Sequence, residues 1–284
     1  MAEITAAAVK SLRDRTGAGM MDCKRALAEA DGDEERAIDL LRQSGVTKAA
    51  KRAGREVSEG TVHVSANDGS AIMVEVLSET DFVARSEAFA GFVQNTSAAS
   101  AGMTLPDGQV MKGADLFELE GGEGIERELN ELRVQVGENI QLSRVVKLAS
   151  EASKTLGSYV HFGNRIGVLI ELEGTEGHES AGELAKGVAM HIAATNPSGI
   201  SPDDISPEVV ERERAVLIEQ AKGEGKPAEI AERIVEGRMR KFFEENALLW
   251  QNYVRDPDIT VKDFLGQAGG DTTVTRFVRF EIGD

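Results

Sequence analysis

Between Gly60 and Val93 the hydrophobic pattern changes its period, and that change narrows the folds open to the chain. Val62 and Val64, then Ile72, Val74 and Val76, alternate along two runs separated by Asn67-Asp68-Gly69, the pattern of a β-hairpin. The second run ends in Thr80-Asp81-Phe82-Val83, and Ala84 to Val93 beyond it reads as a helix. The same order recurs about one domain later, with Gly157 to Gly163, Ile166 to Leu172, then a helical stretch from Ala181 to Ala194. Val74-Glu75-Val76 stands against Ile170-Glu171-Leu172 in the two copies. The expectation is an α+β chain with two related subdomains, each an antiparallel sheet covered by helices. An unrelated pair of hairpins is the alternative.

The segments around this repeat have helical spacing. Thr5 caps a first helix with Val9 and Leu12 on one face, and Thr16-Gly17-Ala18-Gly19 ends it. A second helix starts near Asp22, carries Ala26, Leu27 and Ala30, and breaks at Asp31-Gly32; Asp33 caps a third with Ile38 and Leu41. Three helices this short form a bundle of the ubiquitin-associated type, over residues 1–54. Lys48, Lys51, Arg52 and Arg55 make a basic patch in the linker that follows. Ile125, Leu129, Leu132 and Val136 predict a helix ending at Gly137, and Asn139 to Val146 a strand leading into the second subdomain. The core then divides into residues 55–140 and 141–284. Ser206-Pro207 opens a helix with Val209, Val210, Val216 and Leu217 at seven-residue spacing, and Gly223 to Pro227 turns it back towards Trp250. This is an antiparallel helical hairpin at about 203–250, inserted before Thr273 to Ile282 closes the second sheet.

Charge and composition exclude several classes. A net charge of −17 and a pI near 4.8 argue against a nucleic-acid binder, which needs clustered Lys and Arg to neutralise phosphates. The acidity suits a partner with a basic face instead. With one cysteine, Cys23, no disulfide forms within the chain, and no run approaches the roughly 18 apolar residues of a membrane span. The N-terminus has neither the basic start nor the apolar run of a signal peptide, so the expectation is a cytoplasmic protein. No P-loop is present: Gly225-Lys226-Pro227 puts proline where a metal-binding hydroxyl belongs. His63, His161, His178 and His191 lack zinc spacing, and no Gly-x-Ser-x-Gly elbow occurs. The absences favour a binding protein, with no cofactor, over an enzyme.

Read locally, Asp81 caps a helix and Phe82 fills a core. Together with Thr16-Gly17-Ala18-Gly19-Met20-Met21-Asp22-Cys23-Lys24-Arg25-Ala26-Leu27, however, Thr80-Asp81-Phe82-Val83 closely resembles the bacterial elongation factor Ts family, and the resemblance runs from Glu3 to roughly Ile282. It implies a guanine-nucleotide exchange factor that strips GDP from elongation factor Tu. The family's Asp and Phe enter the GTPase near its magnesium site, which maps that role onto Asp81 and Phe82 within the motif that Thr80 and Val83 complete. The first helix and the following turn dock the GTP-binding domain, which implies contact roles for Arg13, Met20 and Met21; buried bundle methionines are the plain alternative. His161, with Val136 and Gly137 before Glu138-Asn139, is implied to touch helices of the GTPase. The family's Gln-Pro-Phe-Val stands here as Gln251-Asn252-Tyr253-Val254, so only Val254 is carried over. A one-to-one complex and a dimer of heterodimers are both compatible with the resemblance. The rival readings are a ubiquitin-associated-type interaction adaptor without exchange activity, and a hydrolase with an unrecognised carboxylate pair.

Overall fold

The computed structural model describes residues 4–16, 18–52, 54–67, 69–149, 153–224, 227–267 and 271–284, with the backbone alone at 45–52 and 228. Three helices come first: α1 (Ala6–Thr16), α2 (Met20–Glu29) and α3 (Glu34–Arg52). The middle of the chain forms β1 (Glu59–Asn67), β2 (Ser70–Ser78), α4 (Asp81–Ala84), α5 (Glu87–Gly102), β3 (Met111–Lys112), α6 (Gly113–Phe117), α7 (Gly122–Val136) and β4 (Gln141–Ala149). After these come β5 (Thr155–Val160), β6 (Ile166–Glu173), α8 (Ala181–Thr195), α9 (Pro207–Gly223), α10 (Ala228–Asn246), β7 (Asn252–Tyr253), β8 (Asp256–Thr260), α11 (Val261–Gly266) and β9 (Thr273–Glu281). The protein is α+β, with helices at its N-terminus followed by antiparallel sheets and the helices packed on them. Among the described residues no helix is long and apolar enough to cross a membrane.

α1 and α3 begin where side chains satisfy free backbone N–H groups, whereas α2 begins after Gly19 with no side-chain cap. Ala8 donates its N–H to Thr5 Oγ1 at 3.2 Å and Arg36 donates to Asp33 Oδ1 at 3.0 Å, so both expected caps are in place. Asp31 and Gly32 take positive φ between α2 and α3. Leu12, Cys23, Leu27 and Ala37 close the core between the three helices, and burial pushes the Cys23 thiol pKa up. The segment read as a linker is helical as far as Arg52. The side chains of Lys48, Lys51 and Arg52 lie outside the described residues, as do Gly17, Asp68 and Gly225-Lys226 of the expected turns.

The first sheet has the order β1-β2-β4-β3 and the second β5-β6-β9, with every pairing antiparallel. The β1–β2 hairpin pairs Asn67 with Ser70 at its turn and Glu59 with Ser78 at its open end. β4, expected to lead into the second subdomain, pairs with β2 in the first sheet, from Ser70↔Ala149 to Leu77↔Gln141. Its apolar Leu142, Val145, Val146 and Leu148 specify a strand but not its neighbour, which is selected by closure over the whole α4–α7 segment.

Both central strands are buried on both faces, which explains their nearly continuous apolar runs. On β2, Ile72, Val74 and Val76 face α5 and α7, whereas Ala71 and Met73 face the second sheet. On β6, Val168, Ile170 and Leu172 face α8 and Leu169 faces the first sheet. The layers therefore run helices, sheet, sheet, helices. The sheets approach so closely at Gly167 that an added Cβ would overlap Val62 Cγ1.

The parallel between the two sheets continues in their buried charges. Glu75 lies opposite Arg144 on β4, Glu171 opposite Arg276 on β9, and a register shift follows each glutamate. Arg144 binds the Glu75 carboxylate through two nitrogens and donates to Glu281 O at 3.1 Å. Arg276 donates to Glu171 Oε2 at 2.9 Å and to Ala149 O at 2.8 Å. Each arginine thus ties its own sheet to the far end of a strand in the other.

Toward the C-terminus, α9 and α10 pack through Leu217, Ala221, Val235 and Met239. Pro207 opens α9, but the Ser206 hydroxyl makes no capping bond; its carbonyl accepts from Val209 and Val210 instead. Val209 and Val216, expected on the packed stripe, are 43% and 45% exposed.

Candidate functional site

Thr80, Asp81, Phe82 and Val83 form a single helical turn clamped between two caps. β2 ends at Ser78, Thr80 is extended, and its Oγ1 accepts the Val83 N–H at 3.4 Å. Thr80 therefore caps α4, in place of the expected Asp81, because only the extended residue ahead of the turn can aim its oxygen at the free amides. At the other end Ser86 Oγ donates to Val83 O at 2.8 Å and accepts the Phe89 N–H at 3.3 Å, starting α5. Val83 and Ala84 turn inward onto the core of the first sheet.

With about 3.6 residues per turn, that inward placement sends Phe82 outward. Its side chain is 84% exposed. The local reading of Phe82 as a core residue is thereby corrected: Phe89 and Phe92 of α5 fill that core. Asp81 is beside it, its carboxylate half exposed and 3.3 Å from a largely solvated Arg85. The corner thus presents a ring and a carboxylate on a turn whose ends are both fixed.

The Val136-Gly137 segment lies against this corner. α7 ends at Val136, and Gly137 takes φ 77, a conformation that favours glycine, while its N–H reaches Arg133 O at 3.1 Å. Arg133 Nε donates to Ile140 O at 2.8 Å, and burial holds that guanidinium pKa below its ordinary value. The next residue, Glu138, accepts the Thr80 N–H at 3.1 Å and the Thr80 hydroxyl at 2.7 Å. In return Glu79 Oε1 accepts the Asn139 N–H at 2.6 Å. Sequence reading missed Glu79 and Glu138, although each is next to an expected contact residue; their partners are 60 and 58 positions away, respectively.

The other expected residues occupy different parts of the molecule. Arg13 is exposed on α1. Met20 and Met21, placed in a turn by the sequence, open α2 and are 58% and 70% exposed, so they are not bundle-core methionines. Gly19 ends the extended link early enough for both to enter the helix. His161 sits in the β5–β6 turn, its Nδ1 3.0 Å from the Tyr159 hydroxyl, beside a fully projecting Phe162 that sequence reading left unassigned. That turn is tied to the first sheet by Val62 N–H donating to Asn164 O at 2.7 Å.

Val254 is half exposed, and its N–H donates to Nδ1 of buried His191 at 3.1 Å. That bond makes Nδ1 an acceptor, so Nε2 carries the proton donated to Gln251 Oε1, 2.8 Å away. Burial lowers the His191 pKa, against a smaller opposing effect of the Gln251 hydrogen bond, and burial lowers that of His63 as well. The unfolded chain therefore binds protons at higher pH than the folded one. The stability from neutral His191 is complete above about pH 6.5 and is lost as pH falls from there towards the lowered folded value, by up to about 1.4 kcal/mol per pH unit. Thermal melts are expected to show a midpoint falling from pH 7 to pH 5.5, with a shallower fall in His191→Gln. An unchanged slope in that variant would remove the assignment.

No group of three or more His, Cys, Asp or Glu side chains among the described residues is arranged to hold a metal ion. A cleft of about 660 Å³ beside α10 is lined by Met239, Phe243, Trp250, Arg214, Arg240 and Lys262. It contains none of the expected contact residues.

Comparison with known proteins identifies the family. The family model described as Elongation factor TS matches residues 79–284, starting at the framed corner itself. A protein named elongation factor Ts from Aeromonas salmonicida is 45% identical over 284 residues, spanning 100% of this chain and 92% of its own length. Another of that name from Idiomarina loihiensis is 46% identical over 281 residues, covering 99% of this chain and 91% of its own. A third, from Alkalilimnicola ehrlichii, is 44% identical over 283 residues, with 99% and 92% covered. Matched in this way along nearly all of its length, the chain belongs to the elongation factor Ts family, a family of translation elongation factors.

Proposed function

We propose that this chain is the guanine-nucleotide exchange factor of elongation factor Tu: it binds that GTPase, disturbs its Mg2+ site and promotes GDP release so that GTP rebinds. The observation that carries the reading is Phe82, an aromatic ring 84% exposed on a turn fixed at both ends, with the Asp81 carboxylate beside it. In this reading the chain supplies no catalytic side chain and no cofactor, and it works in the cytoplasm with its partner.

The mechanism is linkage. Magnesium bridges GTPase and nucleotide phosphates, so a wedge that displaces the elements supporting the ion weakens GDP binding. The factor need only bind the nucleotide-free GTPase more tightly than the loaded one, and by reciprocity GDP expels the factor equally. Each tenfold weakening of nucleotide requires about 1.4 kcal/mol of differential binding. Phe82 and Asp81, within Thr80 to Val83, act at the metal site, while Val136, Gly137 and His161 contact helices of the GTPase. The N-terminal helices, read as a ubiquitin-associated-type module over residues 1–54, dock through Arg13, Met20 and Met21. Val254 supplies a contact from the part of the chain that follows β4, which also carries the helical hairpin at about 203–250; the part that forms the first sheet carries the wedge.

Elongation factor Tu charged with a fluorescent GDP tests the reading directly. Mixing with this protein and excess unlabelled GDP is expected to accelerate the loss of signal by orders of magnitude over the spontaneous rate. A decay that stays at the spontaneous rate would refute the exchange activity.

A further inference from the structure

Two carboxylates cross between the β2–α4 and α7–β4 connections in opposite directions. Glu138 accepts the Thr80 N–H at 3.1 Å and the Thr80 hydroxyl at 2.7 Å. Glu79 accepts the Asn139 N–H at 2.6 Å, and Asn139 Nδ2 donates to Arg55 O at 2.8 Å while the Arg55 guanidinium lies 3.3 Å from Glu79. Each connection is thus held at its main chain by a side chain of the other. The helix that carries Phe82 has four residues, too few to persist without outside support, so its direction depends on whatever holds Thr80 and Ser86. Glu138 takes both polar hydrogens of Thr80, and hydrogen bonds to an ionised acceptor are the stronger kind.

We infer that Glu138 is a positioning residue for Phe82: by fixing the amide and hydroxyl of Thr80, it holds the turn that projects the ring and locks it to the Val136-Gly137 segment, so that both meet the partner as one rigid surface. This rests on Phe82 being the wedge proposed above. The physical effect is preorganisation. A ring on a loose turn must be ordered at the moment of binding, and that ordering opposes the tighter grip on the nucleotide-free GTPase which drives release. Glu138 touches neither ion nor nucleotide; it acts through Thr80.

The test is a double-mutant cycle on the full chain with Glu138→Gln, Phe82→Ala and the pair, measured as release of fluorescent GDP from elongation factor Tu over a range of factor concentrations. Glutamine keeps the size of Glu138 but turns one acceptor into a donor facing Thr80. Glu138→Gln is expected to lower the maximal release rate about tenfold, the equivalent of one charge-assisted hydrogen bond, with the half-saturating concentration changed by less than about twofold. Added to Phe82→Ala, the same substitution is expected to change the rate by less than about twofold, because no ring remains to be positioned. Losses that multiply, or a Glu138→Gln rate equal to the wild type, overturn the inference. Amide hydrogen exchange supplies a second readout: Thr80 and Val83 are expected to exchange at least about tenfold faster in Glu138→Gln, and unchanged protection there also overturns it. A Phe82→Ala protein that releases GDP at the wild-type rate overturns the proposed function itself, which separates the two failures.

Discussion

Phe82→Ala is expected to remove most of the GDP-release activity while leaving the protein as stable as before. The ring is 84% exposed and makes no part of the hydrophobic core, so its truncation belongs with surface substitutions, within about 0.5 kcal/mol of neutral. A buried aromatic anchor in an interface contributes about 2 kcal/mol or more, which is roughly 30-fold in an equilibrium or a rate. The predicted signature is therefore an exchange rate down by at least that factor, weaker capture of nucleotide-free elongation factor Tu, and a superimposable melting curve. Loss of activity accompanied by a melting temperature several degrees lower would mean that the ring has a structural role, and the wedge would have to be sought elsewhere.

Glu171→Ala is expected to produce the opposite pattern, a large loss of stability at a position remote from the proposed contacts. The carboxylate is almost fully buried and accepts from Thr275 Oγ1 at 2.7 Å, Arg276 Nη2 at 2.9 Å and Lys154 Nζ at 3.3 Å. Burial pushes its pKa up, but the hydrogen bonds from Thr275, Arg276 and Lys154 outweigh burial and the net direction is down. Removing one member of a buried pair typically costs about 3–5 kcal/mol, since the partner charge stays behind in the interior. For a chain of this length that corresponds to a melting temperature lower by about 10 °C. A depressed carboxylate pKa gives stability that is present above the unfolded value, about 4.3, and is lost as pH falls through the folded one. Glu171→Gln should accordingly flatten the acid limb of the stability curve below about pH 4.5. A melting temperature within about 2 °C of the wild type for Glu171→Ala would show that the interior tolerates the orphaned charges.

The recurrence of Glu75 and Glu171 shows how far local pattern carries. Val74-Glu75-Val76 and Ile170-Glu171-Leu172 are recognisable as equivalent strands because period-two alternation and an acidic interruption are written within a few residues. That each glutamate faces an arginine on the neighbouring strand, and that each arginine reaches the other sheet, is invisible at that range: Arg144 meets Glu281 O across 137 positions and Arg276 meets Ala149 O across 127. The misplacement of β4 has the same cause. Its apolar residues determine that it is a strand, whereas its neighbour depends on how the α4–α7 segment closes over the first sheet.

The candidate site divides along the same line. Gly137 as a helix terminator and the Thr80 to Val83 corner follow from residue chemistry, because caps, turns and helical periods are set by dihedral preferences of adjacent residues. Whether Phe82 points in or out does not follow, since an aromatic beside an apolar run is equally suited to a core. Val83 and Ala84 settle it by occupying the inward side of a turn that Thr80 and Ser86 hold in one orientation. The exposure of Met20 and Met21 likewise depends on which face of α2 the other two helices cover.

By itself, then, the sequence determined the elements, their repeat and the motif of the family, all of which rest on interactions among near neighbours. The tertiary structure alone decided the partner of β4, the outward ring and the carboxylates that hold its base, because each depends on contacts between segments tens of residues apart that exist only once the sheets have packed.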